Sequence, residues 1–394
     1  MSSFVELGVS APVHDVLVDR GFTTPFQIQS LVLPDALAGR DVLAKSRTGS
    51  GKTLAFAVPI VERLEPSSPR PSALVLVPTR ELCAQVTEEM SALAPARGLR
   101  AAPVYGGVNL ERQAQKAGRA HIIVATPGRL EDLLRRKLIR VDRIQILILD
   151  EADRMLDMGF QPQVDMIVRR IPRERQTMFF SATLDGRTGW MARAYTHDPV
   201  KHEITDARPT VETTHHRFLP VQQQGKVDAL LGLLAAERGL SLVFVRTKRG
   251  ADRLARTLRG RGLSVEALHG DLTQGARKKA LSRFESGQVD VLVATDVAAR
   301  GLDLEAITHV INYDPPQDYT DYLHRVGRTA RAGKTGAGVT LVTPQDQTSV
   351  SAIATRLELT DEFQAEGLVR PKPQLVYSSR RSRSSMTPRR KRRF

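Results

Sequence analysis

"DVLAKSRTGSGKTLAFAVPIV", residues 41–61, runs from a short apolar strand through a glycine-bearing turn into a helix. Gly49 and Gly51 let the backbone turn tightly and present its N–H groups to an anion. Lys52 adds a point charge, and the Thr53 hydroxyl at the helix start is placed to hold Mg²⁺. The strict phosphate-loop pattern wants Gly at position 46, where this chain has Ser46.

Similar apolar runs recur on either side: "ALVLVP" at 73, "HIIVATP" at 121, "IQILILD" at 144 and "TMFFSAT" at 177. They are bounded by turn residues and separated by helical patterns, which predicts βαβ units around a buried parallel sheet. Around "TDARPTVETTHHRF", residues 205–218, the pattern lapses, and a linker is placed over 206–218. It restarts with "SLVFVRT" at 241, "SVEALHG" at 264, "VDVLVATD" at 289, "HVINYD" at 309 and "GVTLVT" at 338. The expectation is two α/β domains, 1–205 and 219–368, with a ligand cleft between them. The segment 369–394, rich in Arg and Ser, is expected to be a disordered tail.

The chain has 394 residues and a formal charge of +15. Ten Lys or Arg and no acid lie within 370–394, so the body is only mildly basic. Such an excess points to a polyanion, nucleic acid before membrane, because no apolar face accompanies the charge. No apolar stretch has the length needed to cross a bilayer and no signal peptide is present, so the cytoplasm is expected. The single cysteine, Cys83, excludes an internal disulfide, argues against structural zinc and is expected to be a buried helix residue.

"LILDEADRML", residues 147–156, ends an apolar strand in Asp150 and Glu151. Beside a phosphate loop, Asp150 can bind the Mg²⁺ that Thr53 also holds, and Glu151 can orient and deprotonate a water attacking the γ-phosphate. The alternative is a solvated acidic helix start, which the helix dipole favours.

With the phosphate loop, "PTREL" (78–82), "TPGR" (126–129), "DEAD" (150–153), "SAT" (181–183), "ARGLD" (299–303) and "HRVGRTAR" (324–331) follow in the order and spacing of the DEAD-box ATP-dependent RNA helicases. The chain resembles the bacterial-type, near-minimal core of that family from Phe4 to about residue 345. The resemblance implies two tandem RecA-like domains that close on ATP, Mg²⁺ and RNA together. "GFTTPFQIQ" (21–29) resembles the adenine-reading motif, with Phe26 and Gln27 where Thr and Pro are usual. Gln29 offers a donor and an acceptor to the adenine edge. The implied ATP contacts are Phe4, Phe22, Gln29, Ser46, Arg47, Thr48, Gly49, Ser50, Gly51, Lys52, Thr53 and Asp303.

By the same resemblance Glu151, Asp150 and Lys52 act in hydrolysis with Arg328 and Arg331, arginine fingers from the second domain. Arg325, Arg328 and Arg331 recur every third residue and are expected near one face, and Ala330 replaces a usual Gly without consequence. Asp153, Ser181, Thr183, Arg300 and His324 are expected to couple the domains. Arg80, Gly107, Thr126, Arg129, Thr247, Thr295 and Gly301 correspond to positions that hold RNA through phosphate and 2′-OH, without sequence readout. Six tyrosines and one tryptophan argue against extensive base stacking.

The function expected is RNA-stimulated ATP hydrolysis driving local, non-processive duplex separation. An ATP-gated RNA clamp or annealing chaperone is the alternative, and a DNA helicase a weaker one. A monomer is expected because no added apolar helix is read after residue 358. If the tail anchors RNA, truncation at residue 370 should weaken RNA binding and flatten its logarithmic salt dependence by about 0.7 to 0.9 for each phosphate that the tail had neutralised. Salt titrations of both chains check this, and an unchanged slope contradicts it.

Overall fold

The computed structural model describes residues 3–46, 50–184, 186–204, 214–236, 239–299, 306–330 and 335–369. Arg47, Thr48, Gly49, Arg300, Gly301, Asp303, Arg331 and the tail from 370 lie outside them. Strands β1 (Val42–Lys45), β2 (Ala73–Leu76), β3 (Ala101–Val104), β4 (Ile122–Ala125), β5 (Ile146–Leu149), β6 (Gln176–Ser181) and β7 (Val200–Glu203) form a first sheet. Their order is β3-β4-β2-β5-β6-β1-β7, parallel throughout. Strands β8 (Thr214–Pro220), β9 (Leu240–Phe244), β10 (Val265–Leu268), β11 (Val291–Ala294), β12 (Ile307–Asn312) and β13 (Gly336–Val342) form a second, ordered β10-β11-β9-β12-β13-β8. It too is parallel.

Apolar side chains alternate between the two faces of each central strand, so a continuously apolar strand is buried on both sides. Val75, Val124 and Ile148 feed one core of the first domain, while Leu74, Ile123 and Leu147 feed the other. Helices cover both faces, as parallel crossovers require.

The order β5-β6-β1 carries the functional consequence. These neighbours run parallel, with Leu149 opposite Phe179 and Lys45 opposite Ser181, so their carboxyl ends open on one edge. The phosphate-loop turn, the "SAT" segment and the Asp150–Glu151 turn are therefore side by side. At about 4.8 Å between strands, the three lie within roughly 10 Å.

The linker expectation needs correction at its end. Residues 214–218 belong to β8, which pairs with β13 over its whole length. Phe218, assigned to the linker, is fully buried, with its ring 6.0 Å from Tyr322 and 5.6 Å from Phe363. "THHRFLP" alternates buried and exposed positions because β8 is an edge strand, and alternation of polar with apolar residues resembles a loop. Phe363 lies on a short helix, Thr360–Ala365, which folds back onto its own domain.

Candidate ATP and RNA site between the two domains

Gly51 caps the helix Lys52–Arg63 in a left-handed conformation, φ 86°. A Cβ there would lie 2.7 Å from both the Gln29 amide nitrogen and the Phe26 ring, so glycine is required twice over. Gln29 is buried; its Oε1 accepts from the Phe26 amide at 2.8 Å and its Nε2 donates to the Gly51 carbonyl at 2.9 Å. One lone pair and one N–H remain for a base edge. Phe22, Phe26, Gln29, Gly51, Thr53 and Leu54 line a cavity of about 250 Å³ beside the loop. Phe4 is not among its walls. It is fully buried in the first core, so it supports the pocket by packing and has no surface to offer a ligand.

Lys52 is buried, and its Nζ donates to the Ser46 carbonyl at 3.1 Å. The Ser46 hydroxyl accepts from Ser50 Oγ at 3.2 Å. Asp150 and Glu151 are each 3% exposed. Asp150 Oδ1 accepts from the Glu151 amide at 2.9 Å, and Glu151 takes φ 51°, an uncommon conformation for a residue with a side chain. Burial pushes the Asp150 carboxyl up to about 6, with Lys52 opposing that rise. Burial would also raise Glu151, but Arg154, Lys52 and Arg328 outweigh it and hold that carboxyl low. Arg154 forms a buried ion pair with Glu151 directly. The Asp150 carboxylate and Thr53 hydroxyl are hard oxygen donors that fit Mg²⁺ completed by phosphate and water.

Asp153 faces the other way. Its Oδ2 accepts from the amides of Ala182 at 3.1 Å and Thr183 at 3.2 Å, while Ser181 Oγ accepts from the Thr183 amide at 3.3 Å. The Ser46 amide donates to the Ser181 carbonyl at 3.0 Å. Phosphate-loop entry, "SAT" and "DEAD" thus form one hydrogen-bonded unit.

From the second domain, Arg328 approaches closely enough to lower the Glu151 carboxyl. Its Nε donates to the His324 carbonyl at 3.2 Å, which ties it to the half-buried His324. The expectation of one arginine face needs correction. The helix Tyr319–Val326 stops before Arg328, leaving Arg325 inside the second domain against Asp296. Ala330 takes φ 54°, the left-handed region that explains a usual glycine, so the substitution carries backbone strain.

A larger cavity of about 400 Å³ opens between the domains and is lined by Arg80, Thr126, Arg129, Gly270 and Arg277 among others. Gly107, φ 88°, is not in its wall but supports Arg80: a Cβ there would lie 2.6 Å from Arg80 Nη1. Arg129 donates to the Val108 carbonyl at 3.1 Å and Gln113 Oε1 at 3.2 Å. Thr247 caps the helix Lys248–Gly260, accepting from the Gly250 amide at 3.0 Å, and Thr295 is buried at the end of β11. The sequence reading missed Glu81 and Arg277, which form a nearly buried ion pair across the domains at 2.8 Å. Glu81 lies within the quoted "PTREL", whereas Arg277 sits in a helix rich in Lys and Arg that offered no signal.

The DEAD/DEAH box helicase family matches residues 26–189 and the helicase conserved C-terminal domain matches residues 225–333. The DEAD-box ATP-dependent RNA helicase CshA of Geobacillus kaustophilus is 42% identical over 348 residues, covering 88% of this chain and 74% of that protein. The chain belongs to the DEAD-box ATP-dependent RNA helicases. Its fold is that of two RecA-like helicase domains. S. cerevisiae Dbp5 bound to RNA and ADP BeF3 superposes with a TM-score of 0.82 at 30% identity, covering 92% of this chain and 94% of that one. A Dbp5 variant bound to Nup159, Gle1, IP6 and ADP, also 30% identical, covers 89% and 93% with a TM-score of 0.61. The DEAD-box chain described here is thus an ATP-hydrolysing helicase whose domains sit relative to one another more as in the RNA-bound Dbp5.

The buried carboxyl of Asp150 gives a test in the nucleotide-free, Mg²⁺-free protein. Asp150→Asn should abolish Mg²⁺-dependent hydrolysis yet raise stability at pH 8 by about 1 to 3 kcal/mol, because a raised carboxyl marks a destabilised buried charge. The native carboxyl, near 6, binds a proton below that pH that the unfolded chain does not bind until its ordinary range. Wild type should therefore gain on the variant as pH falls from 8 to about 4, with almost all of the gain coming below about 6. Denaturant unfolding at both ends of that range checks this, and a pH-independent gap contradicts it.

Proposed function

We propose that the chain binds ATP in the phosphate-loop cleft of its first domain and single-stranded RNA across both domains, and separates short duplexes locally. The observation that carries this reading is the hydrogen-bonded unit of phosphate-loop entry, "SAT" and "DEAD", together with the Glu81–Arg277 ion pair that joins the two domains beside the larger cavity. A nucleotide site built into one domain and bridged to the other fits hydrolysis gated by closure. Gln29 selects adenine and Phe22 packs on the base. Thr53 and Asp150 would hold Mg²⁺, which when bound neutralises phosphate charge. Glu151 orients the water and takes its proton, while Arg328, with Arg331, stabilises charge on the transferring phosphoryl group. The Asp153 bonds to "SAT" tie that chemistry to the cleft where Arg80, Thr126, Arg129, Thr247 and Thr295 meet RNA phosphate and 2′-OH. Closure around a strand held by its backbone leaves sequence unread and bends it away from a partner strand.

The chain is further proposed to act as a monomer in the cytoplasm. Among the described residues no helix is long and apolar enough to cross a membrane. The annealing-clamp reading shares the same contacts and differs in what hydrolysis achieves.

Steady-state ATP hydrolysis with no polymer, with RNA and with matched single-stranded DNA tests the proposal. RNA should stimulate and DNA should not, and Glu151→Gln should lower RNA-stimulated kcat by about 10² or more. Equal stimulation by DNA would favour a DNA helicase. Undiminished RNA and ATP-analogue binding without strand displacement would favour the clamp.

A further inference from the structure

Arg325 is the arginine of "HRVGRTAR" that the hydrolytic reading leaves without a role. The residue is 3% exposed and its guanidinium uses three nitrogens at once. Nε and Nη2 donate to the two carboxylate oxygens of Asp296 at 2.6 and 2.7 Å. Nη1 donates to Asn312 Oδ1 at 3.0 Å and to the Asp314 carbonyl at 2.6 Å. The same group packs over the Phe244 ring, 5.0 Å from its centroid.

The two ends of this fork have different neighbours in the chain. Asp296 directly follows Thr295, the candidate RNA contact at the end of β11, and starts the short helix Asp296–Ala299. Arg325 lies in the last turn of the helix Tyr319–Val326, three residues before Arg328, whose Nε binds back to the same helix end. A bidentate guanidinium–carboxylate pair fixes orientation as well as distance, which a lysine cannot do. Arg325 is buried while Asp296 is 26% exposed, so a shift of either segment alone would leave the buried guanidinium without its carboxylate. The strand end that touches RNA and the turn that carries the arginine finger therefore move as one piece.

We propose that Arg325 and Asp296 are a positioning pair that makes RNA at Thr295 and nucleotide at Arg328 tighten each other. This rests on the ATP and RNA reading above. A purely structural role predicts something different: lower stability, with the mutual effect of the ligands intact.

The test measures RNA affinity with and without AMP-PNP and Mg²⁺, and nucleotide affinity with and without RNA, in the full chain. Linkage requires the two enhancements to be equal. Arg325→Lys keeps the charge and loses the fork; Asp296→Asn keeps the shape and loses the charge. In both, affinity for each ligand alone should stay within about threefold while the mutual enhancement falls about tenfold. Asn312→Ala, which removes one acceptor and leaves the Asp296 fork, is the structural control and should lower Tm with the enhancement unchanged. Wild-type enhancement in both variants would overturn the pair, as would an equal loss of enhancement in Asn312→Ala. Absence of enhancement in the wild type would overturn the proposed closure on ATP and RNA together, and the pair with it.

Discussion

Two carboxylates buried at the tip of an apolar strand must be compensated by cations, and the rest of the architecture supplies them. Asp150 and Glu151 leave β5 where water is excluded, so isolated charge there would be prohibitive. Lys52 arrives from the loop two strands away in the sheet, Arg154 from the next helical turn and Arg328 from the other domain. Each source ties a separate part of the chain to the same point. Glu151 accepts a strained backbone conformation in the process, as active-site residues commonly do.

The sheet order makes this convergence possible. Because β6 lies between β5 and β1, the "SAT" segment is inserted between the carboxylates and the phosphate loop and bonds to both sides. On the proposed reading, a change at the nucleotide would reach Asp153 and Thr183 through these direct bonds. Among the described residues, the second domain reaches the first through the Arg277–Glu81 ion pair, and Arg328 lies close enough to lower the Glu151 carboxyl. Arg328 lies beside the proposed base and Arg277 lines the cavity proposed for RNA, so on that reading closure would engage both sites together.

The central strands were legible in the sequence because burial on both faces makes them continuously apolar, as in "IQILILD" and "VDVLVATD". The strands that escaped, β3, β7 and β8, are all at sheet edges, where "VKHE" and "THHRFLP" alternate in burial. Residues proposed to meet phosphate or adenine stand out in the sequence through glycine spacing and paired carboxylates. Those defined by tertiary contact did not: Arg277 acquires meaning only from Glu81, and Arg325 only from Asp296. Phe4 marks the opposite error, since its position in a motif suggested contact where the fold uses it as core. Ala330 shows a third kind, a backbone requirement invisible until φ is known.

The central claim is that the two domains close in response to both ligands jointly. Fluorescence energy transfer between dyes on cysteines introduced at Gln115 and Arg256, exposed positions on the helices Leu110–Ala117 and Lys248–Gly260, reads it directly. Cys83 is buried, with its thiol pushed up to about 12, and should not compete for dye. The account predicts a high-transfer state with RNA and AMP-PNP–Mg²⁺ together and a low-transfer state with either alone. Transfer that is the same under all conditions would mean that the domains do not move with their ligands, and would contradict it.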